Sequence, residues 1–214
     1  RGRRADAALR RLLMSILVLF RMTAGRCVFL KESVYFVKKA GITMGRLFGT
    51  DGARGIANLE LTCELAMQIG RAAAVVLTKE TAHKPKIVIA RDTRISSEML
   101  EAALAAGLCS VGADAVILGV IPTPAASYLV SYYGADAGVM ISASHNPVEF
   151  NGIKLFSSTG YKLPDALEEQ IEELILDHPE KIERKSGTEL GRIAACRTAV
   201  QDYIFHLLST MDVN

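Results

Sequence analysis

Three short segments concentrate the side chains that could do chemistry. Ser142-Ala143-Ser144-His145-Asn146-Pro147 follows a run that is apolar up to Ile141, and Asn151, Gly152 and Lys154 lie just downstream. A serine at the end of a strand can act as nucleophile or carry a phosphoryl group, and His145 beside it is a candidate base. Neighbouring side chains often diverge, so adjacency alone does not establish a Ser144–His145 hydrogen bond. The flanking pattern is not GxSxG, which argues against the nucleophile elbow of an α/β-hydrolase. Lys154 offers a cation to a phosphate or a proton for transfer. The second segment, Gly49-Thr50-Asp51-Gly52-Ala53-Arg54-Gly55, packs three glycines, a hydroxyl, a carboxylate and a guanidinium into seven residues. Glycines let backbone N–H groups approach an anion, and the planar fork of Arg54 suits phosphate oxygens. This segment matches neither a Walker A loop nor GxGxxG. The third is Arg91-Asp92-Thr93-Arg94. On residue types alone, ordinary polar turns remain open as alternatives for all three.

The elements that must position these loops are legible in the apolar pattern. Leu61 to Thr78 has no Pro, places Leu65, Ile69, Ala72, Ala73 and Val76 at helical spacing, and follows Asn58 and Thr62 as possible caps. Lys86 to Ala90 (KIVIA) reads as a buried strand with Arg91 to Arg94 as the loop at its end. Ser96 or Ser97 is the expected cap of the next helix, which ends near Gly112. Ala115 to Gly119 is a second strand, Pro122 and Pro124 open a third helix to about Tyr133, and Ala137 to Ser142 is a third strand. Ile153 to Phe156 reads as a short returning strand. An acidic helix runs from Asp165 to about Asp177, with Glu168, Glu169, Glu172 and Glu173 expected on a solvated face. Residues 180–191 read as a charged linker, and Thr198 to Met211 as a last helix. Strand-like runs separated by helices are the signature of βαβ units with parallel strands. Chemistry in such sheets sits in loops at the carboxyl ends of strands, where both Arg91 to Arg94 and Ala143 to Asn151 fall.

Composition sets the outer bounds. The 214 residues are 50% hydrophobic, 22% charged and 6% aromatic, which is globular and excludes wholesale disorder, a collagen-like repeat or a coiled-coil rod. The net charge of +2 hides a split: residues 1–43 carry ten Lys/Arg against Asp6 and Glu32, and residues 44–214 carry fifteen against twenty-one Asp/Glu. The basic excess of +8 therefore belongs to the first segment and the remainder stands at −6, which points away from nucleic acid as a partner. Cys27, Cys63, Cys109 and Cys196 form no CxxC pair, so they read as buried free thiols in a reducing cytoplasm rather than a disulfide framework. Arg1 to Phe20 has the form of a secretory signal, basic and then apolar, and is too short to span a bilayer. Thr23-Ala24-Gly25 is a poor cleavage site because Arg21 and Arg26 flank it. The reading adopted is a frame opened upstream of a start at Met44, with a targeting segment or a folded addition as alternatives.

The literal strings narrow this further. Gly138-Val139-Met140-Ile141-Ser142-Ala143-Ser144-His145-Asn146-Pro147, continued by Asn151-Gly152-Ile153-Lys154, resembles the phosphoserine loop of the α-D-phosphohexomutases. Phe48 to Gly55 and Ala90 to Arg94 resemble first-domain motifs of that family, in the same order. The resemblance covers residues 44–214 almost continuously. It implies a three-layer α/β/α domain with a mostly parallel sheet over residues 44–185, an extension at 1–43, and a linker and helix at 186–214 leading toward a further domain. It also implies a phosphoryl group on Ser144 that passes to a sugar monophosphate through a sugar 1,6-bisphosphate intermediate, with Mg²⁺ on the serine phosphate. Arg54, Asn146 and Lys154 would bind phosphate, and His145 and Lys154 would move protons; such transfer needs charge neutralisation and in-line placement more than a strong nucleophile. Ile141-Ser142-Ala143 favours the amino-sugar reaction, glucosamine 6-phosphate to glucosamine 1-phosphate, over mannose or glucose phosphates. A cytoplasmic enzyme acting on a hexosamine phosphate follows, with no membrane partner and a homodimer of the full-length protein as a possible state.

The family pattern extends beyond these residues. The aspartate-rich DGDGDR loop, the GExSGH loop and the RPSGTEP loop of the four-domain members have no counterpart in this sequence. The expectation is that this polypeptide is the first domain of a mutase, with little activity alone. The reading from a different class is a non-catalytic remnant or partner-binding domain, recognisable by an exposed apolar patch.

Overall fold

The central strands are built from β-branched and small residues because both of their faces are covered. In the computed structural model, which describes residues 46–211, β3 (Lys86–Arg91) buries Ile87, Val88, Ile89 and Ala90 completely, and β5 (Ala137–Ile141) buries all five of its residues. The calls on residues 1–43 and on a start at Met44 lie outside the described residues. The remaining strands are β1 (Phe48–Gly49), β2 (Gly52–Ile56), β4 (Asp114–Val120), β6 (Phe150–Ser157) and β7 (Ile193–Ala195). Among the described residues the sheet order is β1-β2-β6-β5-β3-β4-β7. The parallel expectation holds for β5, β3, β4 and β7, whereas β1, β2, β6 and β5 pair antiparallel, so the sheet is mixed. Ile153 to Phe156 is the middle of β6, an eight-residue antiparallel strand that links the two halves.

Helices cover both faces, giving three layers. On one face, α1 (Cys63–Leu77), α2 (Ile95–Ser110) and α4 (Asp165–Leu176) pack Ile69, Leu104 and Ile171 against Ile87 and Ile89. On the other, α3 (Thr123–Tyr132) sets Leu129 and Val130 against Val88 and Ala90. The helix α5 (Ala199–Ser209) lies beside α3, where Tyr133 Oη donates to Asp202 at 2.6 Å and His206 stacks on Tyr128 with ring centroids 3.7 Å apart. Helices α1 and α2 touch backbone to backbone: a Cβ at Gly107 would lie 2.3 Å from the Met67 carbonyl oxygen, so glycine is required there. Thr62 caps α1, its Oγ1 accepting from the Leu65 N–H at 3.2 Å. Cys63 and Cys109 are half-buried rather than buried.

Two local expectations are corrected. Helix α2 begins at Ile95, before Ser96 and Ser97, and has no side-chain cap of the serine type. Ser97 instead donates its hydroxyl to the Asp92 carboxylate at 2.9 Å, a bond between loop and helix that the capping pattern does not reveal. On α4, Glu169 and Glu173 are exposed but Glu168 and Glu172 are buried, 5% and 4% exposed. Glu168 pairs with Lys162 at 3.1 Å. Glu172 accepts three consecutive backbone N–H groups, from Arg46 at 2.8 Å and from Leu47 and Phe48 at 2.7 Å each. Those donors run into the two-residue strand β1, whose first residue is Phe48, and need an acceptor that a strand this short does not supply. Glu172→Ala leaves them unpaired, and urea unfolding of the chain is expected to show a loss of about 2–3 kcal/mol, against less than about 0.5 kcal/mol for Glu173→Ala.

Candidate functional site

The loop after β5 opens where the parallel and antiparallel halves of the sheet meet. Ser144 is exposed and its backbone is left-handed, φ +58°, a conformation an L-residue other than Asn or Asp seldom adopts. Its Oγ lies 3.4 Å from His145 Nδ1, within reach of a proton exchange between them. Ser144 and Asn146 line a cavity of about 690 Å³ with Asp92, Arg94, Pro122 and Thr123, formed at the carboxyl ends of β3, β4 and β5. This is the crevice position where α/β sheets bind ligands.

Arg54 and Lys154 come from the antiparallel side. Arg54 on β2 stands opposite Gly152 on β6, and Lys154 on β6 stands opposite Met140 on β5. The Arg54 Nη2 donates to Asp51 at 2.9 Å across the β1–β2 turn, while its Nε is buried and has no partner among the described residues. An unpaired buried donor costs the folded chain free energy, and an acceptor meeting it would lower that cost. Lys154 lines a smaller hollow of about 200 Å³ with Thr50, Asp51, Gly52 and Thr123, and Thr123 borders both hollows. The structure thus brings Ser144, His145 and Asn146 into one loop, and sets Arg54 and Lys154 on the adjoining strands rather than in hydrogen-bond contact with Ser144.

The residues that hold the loop are ones the sequence reading quoted without a role. Arg94 directs all of its N–H groups inward: Nε donates to Asp92 Oδ2 at 3.1 Å, Nη1 to the carbonyls of Pro147 at 2.7 Å and Phe150 at 3.0 Å, and Nη2 to those of Ser144 at 3.0 Å and Asn146 at 2.8 Å. Asp92 is fixed in turn. Burial acts to raise its pKa, but hydrogen bonds from the Arg94 N–H and the Ser142 and Ser97 hydroxyls, with the charge of Arg94, outweigh burial and hold the carboxyl below its ordinary value. Buried Asn151 completes the support, donating from Nδ2 to Ser96 Oγ at 2.9 Å and Ser97 Oγ at 3.0 Å. Arg91, the other guanidinium of that segment, turns away to Glu98 and Glu101 on α2. The signal in the sequence was an Arg-Asp-Thr-Arg string at a strand end; that its acceptors are carbonyls some fifty positions on has no sequence signature.

For Mg²⁺, the chain's own donors are sparse. Among the described residues no group of three or more His, Cys, Asp or Glu could hold a metal ion, and Asp92, which lines the crevice with Ser144, is committed to Arg94 and Ser97. These residues do not by themselves fit a magnesium site, so no step is derived through one.

Gly152 sets how closely the two halves approach. A Cβ there would lie 2.7 Å from the Ser142 carbonyl oxygen and 3.0 Å from Arg54 Cγ, so Gly152→Ala must push either the serine loop or Arg54 aside. The expected cost is about 1–3 kcal/mol in urea unfolding, together with amide shifts confined to residues near 54 and 142–146.

Comparison with known proteins agrees with this geometry. The family described as phosphoglucomutase/phosphomannomutase, alpha/beta/alpha domain I, matches residues 45–181. The phosphoglucosamine mutase of Acetivibrio thermocellus is 61% identical over 168 residues, covering 78% of this chain and 37% of that protein. That of Clostridium novyi is 58% identical over 171 residues, covering 80% and 38%. Among solved structures, a phosphoglucomutase/phosphomannomutase family protein from Burkholderia thailandensis superposes with a TM-score of 0.66 at 26% identity, covering 79% of this chain and 37% of that one. The chain therefore spans little more than a third of the length of these relatives. With the strand-end serine loop, the glycine-rich turn and the three-layer sheet all in the matched region, the chain belongs to the phosphoglucomutase/phosphomannomutase family, of which residues 45–181 are the alpha/beta/alpha domain I.

Proposed function

We propose that this domain carries the phosphoryl group of a phosphosugar mutase, on Ser144, and that the reaction served is glucosamine 6-phosphate to glucosamine 1-phosphate. The observation that carries the reading is Ser144 itself: an exposed hydroxyl on a left-handed backbone, at the mouth of a crevice, with His145 Nδ1 at 3.4 Å. In the forward half-reaction, the phosphoserine gives its phosphoryl group to a free sugar hydroxyl. The new bond joins the sugar oxygen to phosphorus, the Ser144 Oγ–P bond breaks, and the proton leaving the sugar hydroxyl is taken up by a nearby base. The sugar 1,6-bisphosphate so formed returns its other phosphoryl group to Ser144. His145 and Lys154 are the chain's proton carriers for these steps, and Arg54, Asn146 and Lys154 its anion-binding groups; the unpartnered Arg54 Nε supports that assignment. Magnesium, when bound to the serine phosphate, would neutralise its charge, with further ligands coming from outside the described residues.

The choice of the amino sugar rests on relatives at 58–61% identity that are phosphoglucosamine mutases. A cytoplasmic enzyme, and a homodimer of the longer protein, belong to the same proposal. Among the described residues no helix is long and apolar enough to cross a membrane. The exposed apolar residues Ile204, Phe205 and Leu208 of α5 also fit the second reading, a domain that works only when joined to others.

Two measurements test the proposal. Incubation with radiolabelled glucose 1,6-bisphosphate in the longer protein is expected to label Ser144, with the label lost in Ser144→Ala; label persisting in that variant removes Ser144 from its role. The chain alone, given glucosamine 6-phosphate and a catalytic sugar bisphosphate, is expected to turn over at least on the order of 10³-fold more slowly than a full-length relative, because it spans 37–38% of those relatives and substrate positioning draws on groups from their full length. Comparable turnover would show that residues of this chain suffice.

A further inference from the structure

We propose that Arg94 is the positioning residue of the phosphoryl-carrying serine: it sets the backbone of Ser144, and through it the direction of the hydroxyl, without binding phosphate itself. The inference rests on the reading that Ser144 carries the phosphoryl group, and adds to it the device that keeps the hydroxyl in place.

The peptide units on both sides of the Ser144 Cα are tied down. On the amino side, the Ser144 N–H donates to Ser142 Oγ at 3.0 Å, and Ser142 lines the crevice beside Asp92. On the carboxyl side, the Ser144 carbonyl accepts from Arg94 Nη2 at 3.0 Å, and Arg94 Nε donates to the Asp92 carboxylate. Arg94, anchored on Asp92, thus holds the carboxyl side of Ser144 while Ser142 holds its amino side, and φ stands at +58°. A serine in an unrestrained loop favours negative φ, so the left-handed backbone at Ser144 must be held by its contacts. The carbonyls of Asn146, Pro147 and Phe150 converge on the same guanidinium. Loop carbonyls ordinarily face water; four of them turned inward onto one cation curl the chain, and Ser144 sits at the start of the curl.

The donor count separates Arg94 from an anion-binding arginine. A guanidinium has five N–H donors, and Arg94 spends one on Asp92 and four on carbonyls. Its side chain is only 11% exposed and its charge is met by Asp92, so neither a free donor nor an uncompensated charge is left for a phosphate. Arg54, with an unpartnered buried Nε, is the opposite case. Lysine cannot replace Arg94, because a tetrahedral ammonium with three donors does not reproduce a planar five-donor fork.

The test reads the Ser144 backbone directly, in the full 214-residue chain labelled with ¹⁵N and ¹³C, by the φ-sensitive one-bond Cα–Hα coupling and the amide shifts. In Arg94→Lys the expected result is loss of the positive-φ signature at Ser144 and shifts across residues 144–150, with the amides of α1 and β4 unmoved. Retention of the signature in a folded Arg94→Lys protein overturns the proposal, as does a loss spread evenly over the whole domain. If Arg94→Lys does not fold, Asp92→Asn replaces it, which keeps the guanidinium but removes its anchor, and the same two results decide. This measurement involves no phosphate. Its failure leaves the Ser144 labelling test standing, and a failure of labelling leaves the backbone result standing.

Discussion

Four loop carbonyls and one carboxylate end on the guanidinium of Arg94, and the candidate site depends on that convergence. Without it the segment from Ala143 to Glu149 is a polar loop between β5 and β6 with few contacts of its own. With it, the loop gains charge-assisted hydrogen bonds, of the stronger class, to a side chain that is itself anchored at the start of α2. The anchoring passes inward from Arg94 to Asp92 to Ser97 and Asn151, and so into the buried face of β6. A surface loop is in this way tied to the buried core, which is what a site that must place one oxygen atom accurately requires.

The two arginines near the site show how the same residue type can do opposite work. Arg94 has every donor met by protein and a carboxylate partner, so its charge is spent on shape. Arg54 shares one nitrogen with Asp51, an exposed partner, and leaves a buried nitrogen unmet. Lys154 is argued from place alone, beside the glycine-rich turn. A chain whose residues 44–214 sum to −6 can still hold anions in this arrangement, because binding answers to the few donors facing a crevice rather than to net charge.

Much of the fold was legible in particular residues. The β-branched runs at Lys86 to Ala90 and Ala115 to Gly119 and the helical spacing of Leu65, Ile69 and Ala73 predict their elements to within a residue or two, since burial on both faces of a sheet admits few other residue types. Where reading failed, a distant partner was the reason. Glu172 looks like a member of an acidic surface face, and it is buried because three N–H groups some 125 positions earlier need an acceptor. Ser97 looks like a helix cap, and it answers Asp92 instead. The antiparallel half of the sheet was missed for a related reason: strand direction depends on how the chain returns, and the short connection from β5 to β6 permits a hairpin where longer ones force a crossover.

By itself, the sequence determined which atoms are available for chemistry: the Ser144 hydroxyl, the His145 imidazole, and the cations of Arg54 and Lys154, each in a string specific enough to identify the family. Only the tertiary structure decided how those atoms are held. Residue types and local spacing fix what a side chain can donate or accept, but the partner it meets depends on which strands lie side by side. Arg94 reaches the serine loop because β3 and β5 are neighbours in the sheet, although the chain separates them by a helix, a strand and another helix.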